Sequence, residues 1–320
     1  MRKTGAGCFG PKIRKNPSPR GKMVPSTSET TPPQDWLTHD QDFQTPPAHR
    51  TRVRYMSLAD EEAVCGQDRG RIQSLSGFRF RKASAMSLPD VTWTRPLRAV
   101  GEVSIVHVDL GTDERNETAA LVWLDSPERQ RWERYRNPRA RREFALCRAA
   151  LRSHLCDRLG CSNDRLAFGK RAHGKPFAVV DETEVSYGFN VSHGGRHGLI
   201  GFLADPMLGV DIEERIPRSD VDGIGAYVFG HRERSVLAAA EGHRKLDVFY
   251  RMWTLKEALI KALGTGFSCN PATFEVPREM LDGARSGRLR LHFAPSGTWN
   301  LVDIGEAEFA AAVAYRAEAD

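Results

Sequence analysis

Two segments with a weak similarity to each other indicate the fold: Trp253-Thr-Leu-Lys-Glu-Ala-Leu-Ile-Lys261 and Phe144-Ala-Leu-Cys-Arg-Ala-Ala-Leu-Arg152. Laid over each other, they align Arg152 with Lys261 and Arg148 with Glu257. Each stretch follows a strand-rich region, and each has apolar residues at helical spacing. A match this short also arises by chance. Taken as a repeat, it predicts an α+β fold of two similar halves.

The chain of 320 residues is divided into three regions, of which composition marks off the first. Residues 1–95 are rich in Pro, Ser and basic side chains and show no apolar period, so we predict a disordered extension. Residues 96–203 and 204–320 are predicted to form the N-terminal and C-terminal α+β halves. Two interpretations of the extension stay open. It is a basic tether, or the start codon is mis-set and translation begins at Met56 or Met86.

Charge and hydropathy narrow the class of protein. Lys and Arg number 47 against 41 acids, and this basic excess suits anionic partners. The sequence contains no apolar run of the ~20 residues that a membrane helix needs, so we expect no membrane association. Of the six cysteines, Cys156 and Cys161 are the closest pair, but no second pair completes a metal site. We therefore expect reduced thiols in a cytoplasmic protein, with organelle import left open. We also expect a monomer.

Local patterns place the main elements. Ser126-Pro127 is typical of a helix start, and Gly264 is typical of a helix end. Near alternation predicts a first strand over residues 103–110 and a hairpin over residues 185–203. Helices are predicted over residues 232–240 and 249–263, and a closing β-meander over residues 288–315.

The first candidate site is Gly209-Val-Asp-Ile-Glu213. Alternation along a strand puts Asp211 and Glu213 on one face and their apolar neighbours on the other. Two adjacent carboxylates repel each other unless a cation joins them, and hard oxygen ligands suit Mg²⁺. The ordinary alternative is a solvated strand edge.

Two further segments carry candidate chemistry. Glu257 and Lys261 lie four residues apart on the predicted helix, where the alternative is a surface ion pair. Ser192 and His193 are predicted at the turn that precedes Gly194-Gly195, where a hydroxyl and backbone N–H groups can meet a phosphate. The alternative there is a turn histidine without function.

The sequence resembles the 4′-phosphopantetheinyl transferases of the surfactin-synthetase-activating type over residues 101–315. The resemblance rests on five motifs in this order: Gly174-Lys-Pro176, Asn190-Val-Ser-His193, Gly209-Val-Asp-Ile-Glu213, Trp253–Lys261 and Gly264-Thr-Gly-Phe-Ser268. It implies a pseudo-twofold fold with the site between the halves. The extension before residue 100 departs from the family pattern.

The resemblance also implies a role for each matching residue. Asp211, Glu213 and Glu257 would bind Mg²⁺, with Glu257 or a water it orients as the base. Lys261, with the adjacent Lys256, would contact the phosphates of coenzyme A. Ser192 and His193 would hold the pantetheine-side phosphate. The remaining implied contacts, at the adenosine end, are Arg148, Arg142 and Lys175.

The expected reaction moves the phosphopantetheine arm of coenzyme A to a serine of an acyl or peptidyl carrier protein and releases 3′,5′-ADP. Two alternatives stay open at this point. A metal-dependent nuclease could use the same acids and lysine, and a non-enzymatic nucleic-acid-binding protein would use the basic excess. The sequence carries no RNA-binding signature of the RRM kind, so we expect no nucleic-acid partner.

Overall fold

A computed structural model describes residues 88–171, 173–266, 269–293 and 295–318. The predictions for residues 1–87, including their disorder, lie outside the described residues. The predicted boundary at residue 95 is too late in the chain. Trp93 is 4% exposed, and its Nε1 donates to the Leu146 carbonyl at 3.1 Å, so ordered packing begins before the first strand.

The N-terminal half alternates strands and helices in chain order. Its elements are β1 Thr94–Val100, β2 Val103–Asp109, α1 Glu114–Trp123, α2 Ser126–Arg134, α3 Pro138–Leu159, β3 Leu166–Lys170, β4 Pro176–Val180, β5 Thr183–Glu184, β6 Gly188–Gly194 and β7 His197–Leu203. A 3₁₀ turn, Asn163–Arg165, joins α3 to β3. Strands β1, β2, β7 and β6 form an antiparallel sheet in that order, and β3, β4 and β5 form a smaller one.

The C-terminal half repeats this order with small changes. Its elements are β8 Leu208–Glu214, α4 Val221–Val228, α5 His231–Ala238, α6 Gly242–Leu263, α7 Arg278–Leu281, β9 Ser286–Leu291, β10 Gly297–Asp303 and β11 Phe309–Arg316. The 3₁₀ turn Pro271–Thr273 follows α6, as Asn163–Arg165 follows α3. Strands β8, β11, β10 and β9 form an antiparallel sheet in that order. The α+β fold of two similar halves is therefore confirmed.

Strand alternation explains how the layers form. On β2, Val106 and Val108 pack with α3, whereas Val103 and Ile105 point to the other face. That other face meets Val210 and Ile212 of β8 in an apolar cluster shared by both sheets. Because each sheet is apolar on both faces, one helix covers its outer face while the second sheet covers its inner face.

The repeat is real, but its predicted register is wrong. Helices α3 and α6 are both 22 residues long, and each ends at a glycine in the left-handed region, Gly160 and Gly264. Aligning their ends matches Arg152 with Lys256, five residues away from the predicted match with Lys261. Arg152 and Lys261 are both basic and both follow apolar residues, so the sequence favours the wrong register, whereas the glycines at the helix ends fix the right one.

Two local predictions also need correction. Helix α2 is capped by Asp125 rather than Ser126, and Asp125 and Glu128 form a capping box. Ser192 and His193 lie inside strand β6, because the hairpin turn begins only at Gly195. Of the helices in the described part of the chain, none is long and apolar enough to cross a membrane.

Candidate active site

Strand β8 supplies two buried carboxylates. Val210 and Ile212 are fully buried in the cluster between the sheets, so alternation turns Asp211 and Glu213 toward α6. Asp211 is 2% exposed and Glu213 is 7% exposed. The predicted shared face of the two acids is therefore found, but it is a buried interface and not a solvated strand edge.

A glycine allows α6 to approach this strand closely. A Cβ atom built on Gly209 would lie 2.0 Å from the Ala258 carbonyl oxygen and 2.3 Å from the Ala262 nitrogen. Only glycine fits at such a backbone contact. The contact brings Glu257 and Lys261 of α6 toward the acids of β8.

One hydrogen-bonded cluster links three elements. The Lys261 Nζ donates to Asp211 Oδ1 at 2.7 Å and to Ser192 Oγ at 2.8 Å. The Ser192 hydroxyl donates to the same Asp211 oxygen at 2.8 Å. These bonds join β6, β8 and α6. Lys261 is therefore not limited to a surface ion pair within its own helix, because it pairs with Asp211, 50 residues away along the chain.

The electrostatics of the cluster leave negative charge uncompensated. Asp211 Oδ2 is buried and has no hydrogen-bond partner among the described residues. Burial, with the nearby Asp211 and Glu213, raises the pKa of Glu257 to about 8, although Lys261 opposes the shift. Burial lowers the pKa of Lys261, but the adjacent acids outweigh it and hold the ammonium charged.

These residues fit a divalent cation by donor chemistry. Within the described ranges, no three His, Cys, Asp or Glu side chains are already gathered as metal ligands. The orphaned Asp211 oxygen and the repulsion around Glu257 are nevertheless what a hard cation would relieve, and all three acids offer oxygen donors.

His193 lies on the other face of β6, against α3. Its Nδ1 is 3.6 Å from Glu143 Oε2, and the other Glu143 oxygen accepts from Arg139 Nε at 2.6 Å. Burial lowers the pKa of His193, while Glu143 acts in the opposite direction. Glu143 was not predicted as a site residue, because its contact with His193 spans 50 positions and leaves no local signal.

A small cavity opens beside His193. Its lining residues are Glu143, Phe144, Cys147, Arg148, Leu151, Pro176, Val191 and His193. The Arg148 Nε lies 3.4 Å from Glu128 Oε1, and its guanidinium carbon lies 4.4 Å from the centre of the Phe168 ring. Its buried Nη1 has no hydrogen-bond partner among the described residues. Arg148 therefore lines the cavity with a guanidinium whose hydrogen-bonding capacity is not fully used among the described residues.

Asn190 joins the halves close to the site and was also missed as a contributor. It lies two residues before Ser192 on β6, and its Oδ1 accepts from the Val210 N–H at 2.9 Å. Its place in the Asn-Val-Ser-His motif, on the same strand face as Ser192, is a signal that could have identified it.

Lys256 is not part of this cluster, which corrects its predicted role in coenzyme A binding. Its Nζ lies 2.9 Å from Glu233 Oε2, and both side chains are fully buried. The ammonium also donates to the carbonyls of Pro271 at 2.7 Å and Phe274 at 2.5 Å. With its three donors used inside the core, Lys256 holds α5 and the turn after α6 against the helix.

Two further predicted contacts lie elsewhere. The Lys175 Nζ donates to the carbonyls of Pro206, Leu208 and Ala262 at 2.9–3.1 Å, so it fastens the halves together. Burial lowers the pKa of Lys175 to about 8. Arg142 donates to the Leu110 carbonyl at 3.0 Å, which ties α3 to the end of β2. In this structure neither side chain reaches the cluster around Asp211.

Phosphoryl-transfer sites typically combine acids that bind a cation with a lysine beside them, and here a histidine and an arginine line an adjoining cavity. Comparison with known families makes this specific. The 4′-phosphopantetheinyl transferase superfamily matches residues 207–314, and the N-terminal domain of 4′-phosphopantetheinyl transferases matches residues 113–202.

Individual relatives agree with this match. The chain is 37% identical over 145 residues to a putative 4′-phosphopantetheinyl transferase of Synechocystis, covering 45% of this chain and 58% of that protein. It is 31% identical over 167 residues to the 4′-phosphopantetheinyl transferase HetI of Nostoc, covering 52% and 70%. It is 26% identical over 171 residues to the 4′-phosphopantetheinyl transferase Sfp of Bacillus subtilis, covering 53% and 74%.

The chain belongs to the 4′-phosphopantetheinyl transferase superfamily. The two matched regions fall on the N-terminal and C-terminal halves, which confirms the predicted family and the predicted class of enzyme. The comparisons favour this class over the nuclease and the nucleic-acid-binding protein.

Proposed function

We propose that this protein transfers the 4′-phosphopantetheine group of coenzyme A to a serine hydroxyl of an acyl or peptidyl carrier protein and releases 3′,5′-ADP. The observation that carries the proposal is the Asp211–Lys261–Ser192 cluster, because it places buried acids and a cationic side chain inside the region that matches the superfamily. The similarity to Sfp supports placing the chain with the surfactin-synthetase-activating type.

The residues of the cluster have distinct tasks in this reaction. Asp211, Glu213 and Glu257 would hold Mg²⁺, which when bound would neutralise charge on the pyrophosphate. Lys261 is charged and lies against Asp211, so it would stabilise the phosphate of the departing 3′,5′-ADP. Its contact with Asp211 also fixes the ammonium in place before substrate arrives.

The cavity side of β6 would bind two phosphates of coenzyme A, the pantetheine-side phosphate and the 3′-phosphate of the adenosine. His193 is about a quarter exposed and borders the cavity, so it would hold the pantetheine-side phosphate. Ser192 points to the opposite face of β6, where it donates to Asp211, so it would act beside the acids and not with His193. Arg148 borders the same cavity, so its guanidinium would meet the 3′-phosphate of the adenosine.

Proton transfer completes the step. The carrier serine oxygen forms a bond to the pantetheine-side phosphorus while the bond from that phosphorus to the ADP oxygen breaks. Glu257, or a water that it orients, accepts the serine proton.

The deciding experiment measures the intact mass of an apo carrier protein after incubation with coenzyme A, Mg²⁺ and this protein. We expect one phosphopantetheine per carrier, with an equal amount of 3′,5′-ADP, and no modification in EDTA. Carriers from fatty-acid, polyketide and peptide synthases should be compared. If a folded preparation modifies none of them, the proposed function is wrong.

The setting of the reaction is a further part of the proposal. We expect a cytoplasmic monomer whose partners are coenzyme A and the carrier protein, with no nucleic-acid partner. Size-exclusion chromatography with light scattering, with and without carrier, tests the monomer. A dimer in the absence of carrier would contradict it.

A further inference from the structure

The C-terminal end of α3 brings two cysteines together. The Cys161 N–H donates to the Cys156 carbonyl at 3.1 Å, across Gly160 in the left-handed region. This six-residue closure is the Schellman motif, in which the side chains on either side of the glycine commonly make contact. Here those two side chains are thiols.

The surroundings of the two thiols favour a reaction between them. The Cys156 and Cys161 side chains are hydrogen-bonded to each other, and both pack against the core of the N-terminal half. Both are free cysteines. Arg152 holds the segment after the cap, since it donates to the carbonyls of Asn163 at 2.8 Å and Leu166 at 2.7 Å. The cap therefore holds the two thiols next to each other.

We propose that Cys156 and Cys161 form a reversible disulfide when the protein meets hydrogen peroxide, so that the cap of α3 is an oxidation site separate from the transfer reaction. One thiol is oxidised by peroxide to a sulfenic acid, and one water is released. The second thiol attacks that sulfur, which forms the S–S bond and releases a second water. Two hydrogens leave the protein and the peroxide is the oxidant, so the step balances.

The two thiols differ in which one reacts first. Cys156 is 9% exposed, whereas Cys161 is partly exposed. Burial and the adjacent Cys161 raise the pKa of Cys156 to about 12, which keeps that thiol protonated. Cys161 is thus the thiol that peroxide reaches first. Cys156 gives up its proton to the departing hydroxide as it attacks the sulfenic sulfur, and the two leave as water.

Tryptic mapping tests the proposal directly on the full chain. Cleavage after Arg152, Arg158 and Arg165 puts the two cysteines in different peptides, residues 153–158 and 159–165. After peroxide treatment, denaturation and alkylation, we expect these peptides joined to each other, with both alkylated forms lost in equal amount. Dithiothreitol should restore both. Cys147 is buried and serves as the internal control, since its alkylated peptide should not change.

A variant makes the assignment specific. In Cys161→Ser, peroxide should leave Cys156 as an alkylatable thiol, because its partner is gone. The proposal is overturned if the joined peptides are absent after peroxide treatment while Cys147 stays alkylated. It is also overturned if Cys161 becomes irreversibly oxidised or joins Cys8 or Cys65 instead.

Discussion

The two halves share one architecture and differ in what they bury between strand and helix. Aligned from their first residues, β2 and β8 place Val106 and Val108 where Asp211 and Glu213 stand. Both pairs face the long helix of their own half. In the N-terminal half this interface is apolar and contributes hydrophobic stabilisation, while in the C-terminal half it holds acids that repel each other.

The difference shows how the site is built on the repeat. The interface that is apolar core in the N-terminal half is a buried acidic site in the C-terminal half. The acids destabilise the fold there, and the apolar core of the N-terminal half and the apolar cluster between the sheets offset this. Buried acids without full compensation are typical of catalytic sites.

The two halves agree in another buried feature. Arg152 of α3 lies 3.1 Å from Glu128, and Lys256 of α6 lies 2.9 Å from Glu233. Both glutamates are the third helical residue of a capped short helix, α2 or α5, and both cations also bind carbonyls of the following 3₁₀ turn or the residue after it. The halves thus keep the same internal ion pair and differ in the chemistry beside it.

The largest effect is expected when an acid of the C-terminal half is neutralised. Glu257→Gln should reduce turnover by about 10²–10⁴, the range for acid–base groups. Steady-state transfer to a carrier at saturating Mg²⁺ measures it. The control is Asp222→Ala, an exposed residue of α4 that pairs with Lys245 and should leave turnover unchanged. Near-normal turnover of Glu257→Gln would show that the acids are not catalytic.

The same variant has an opposite effect on stability, which sharpens the comparison. The pKa of Glu257 in the folded protein is raised to about 8, so the fold favours the protonated carboxyl and is destabilised by the carboxylate. The stability that the protonated form contributes is fully present below the unfolded pKa and is lost as pH rises through 8. In EDTA at pH 8.5, Glu257→Gln should therefore unfold at higher urea concentration than the parent protein. The difference should shrink toward pH 5.

The buried ion pairs give the next largest effect. Lys256→Met leaves Glu233 buried without its cation, so we expect a loss of about 3–5 kcal/mol in the free energy of unfolding. Arg152→Met should cost a similar amount, because the pair is equivalent in the other half. Arg278→Met, at a pair more than 70% exposed on both sides, should cost under about 1 kcal/mol. Urea unfolding measures all three.

Steady-state kinetics then test whether Lys256 supports the fold or binds coenzyme A. Measured where the protein is still folded, Lys256→Met should keep the KM for coenzyme A of the parent protein. A selective increase in that KM with unchanged stability would restore Lys256 as a coenzyme A contact.

The sequence supported those parts of the site that follow from local periodicity. Alternation on β8 correctly paired Asp211 with Glu213, and helical spacing correctly paired Glu257 with Lys261. Lys256 was misassigned because neighbouring residues on a helix point about 100° apart, and only the position of Glu233 shows that this lysine faces the core.

The remaining errors have a related physical origin. Ser192 and His193 were placed at a turn because Gly194-Gly195 looked like the turn itself, yet Gly194 is a strand residue. A Cβ on Gly194 would lie 2.6 Å from the Ile212 carbonyl oxygen, so this glycine serves the close approach of β6 to β8. A sequence alone does not tell a turn glycine from a glycine at a strand contact, since both are selected for lacking a side chain.

A smaller effect is expected at the arginine that the N-terminal half contributes. Arg148→Ala should raise the KM for coenzyme A by about tenfold or more, since hydrogen bonds to charged groups contribute ~1.5–3 kcal/mol. The KM for 3′-dephospho-coenzyme A should change little, because that analogue lacks the phosphate. Equal losses for both substrates would mean that Arg148 acts through its contact with Glu128 and supports α2 against α3.

The smallest effect is expected on stability, at a position that is polar in the N-terminal half and apolar in the C-terminal half. His107 of β2 aligns with Ile212 of β8, and its Nε2 lies 3.0 Å from His197 Nδ1 beside the Phe309 ring. Burial, with Arg95 and His197, lowers the pKa of His107 to about 4, although Asp109 and Glu306 oppose the shift. Between pH 6.5 and 4, the unfolded chain therefore takes up a proton that the folded protein does not, and stability falls as pH falls.

His107→Ile, which copies the other half, should remove this dependence. The linkage relation gives a loss of about 2 kcal/mol at pH 5 for the parent protein from this group alone. Urea unfolding at pH 7 and pH 5 should show a smaller difference for His107→Ile than for the parent, and His292→Ile at an exposed position should behave like the parent. Because His197 is also buried with a lowered pKa, part of the acid sensitivity should persist in His107→Ile. If the loss of stability between pH 7 and pH 5 is the same in His107→Ile as in the parent, His107 does not cause the acid sensitivity of the N-terminal half.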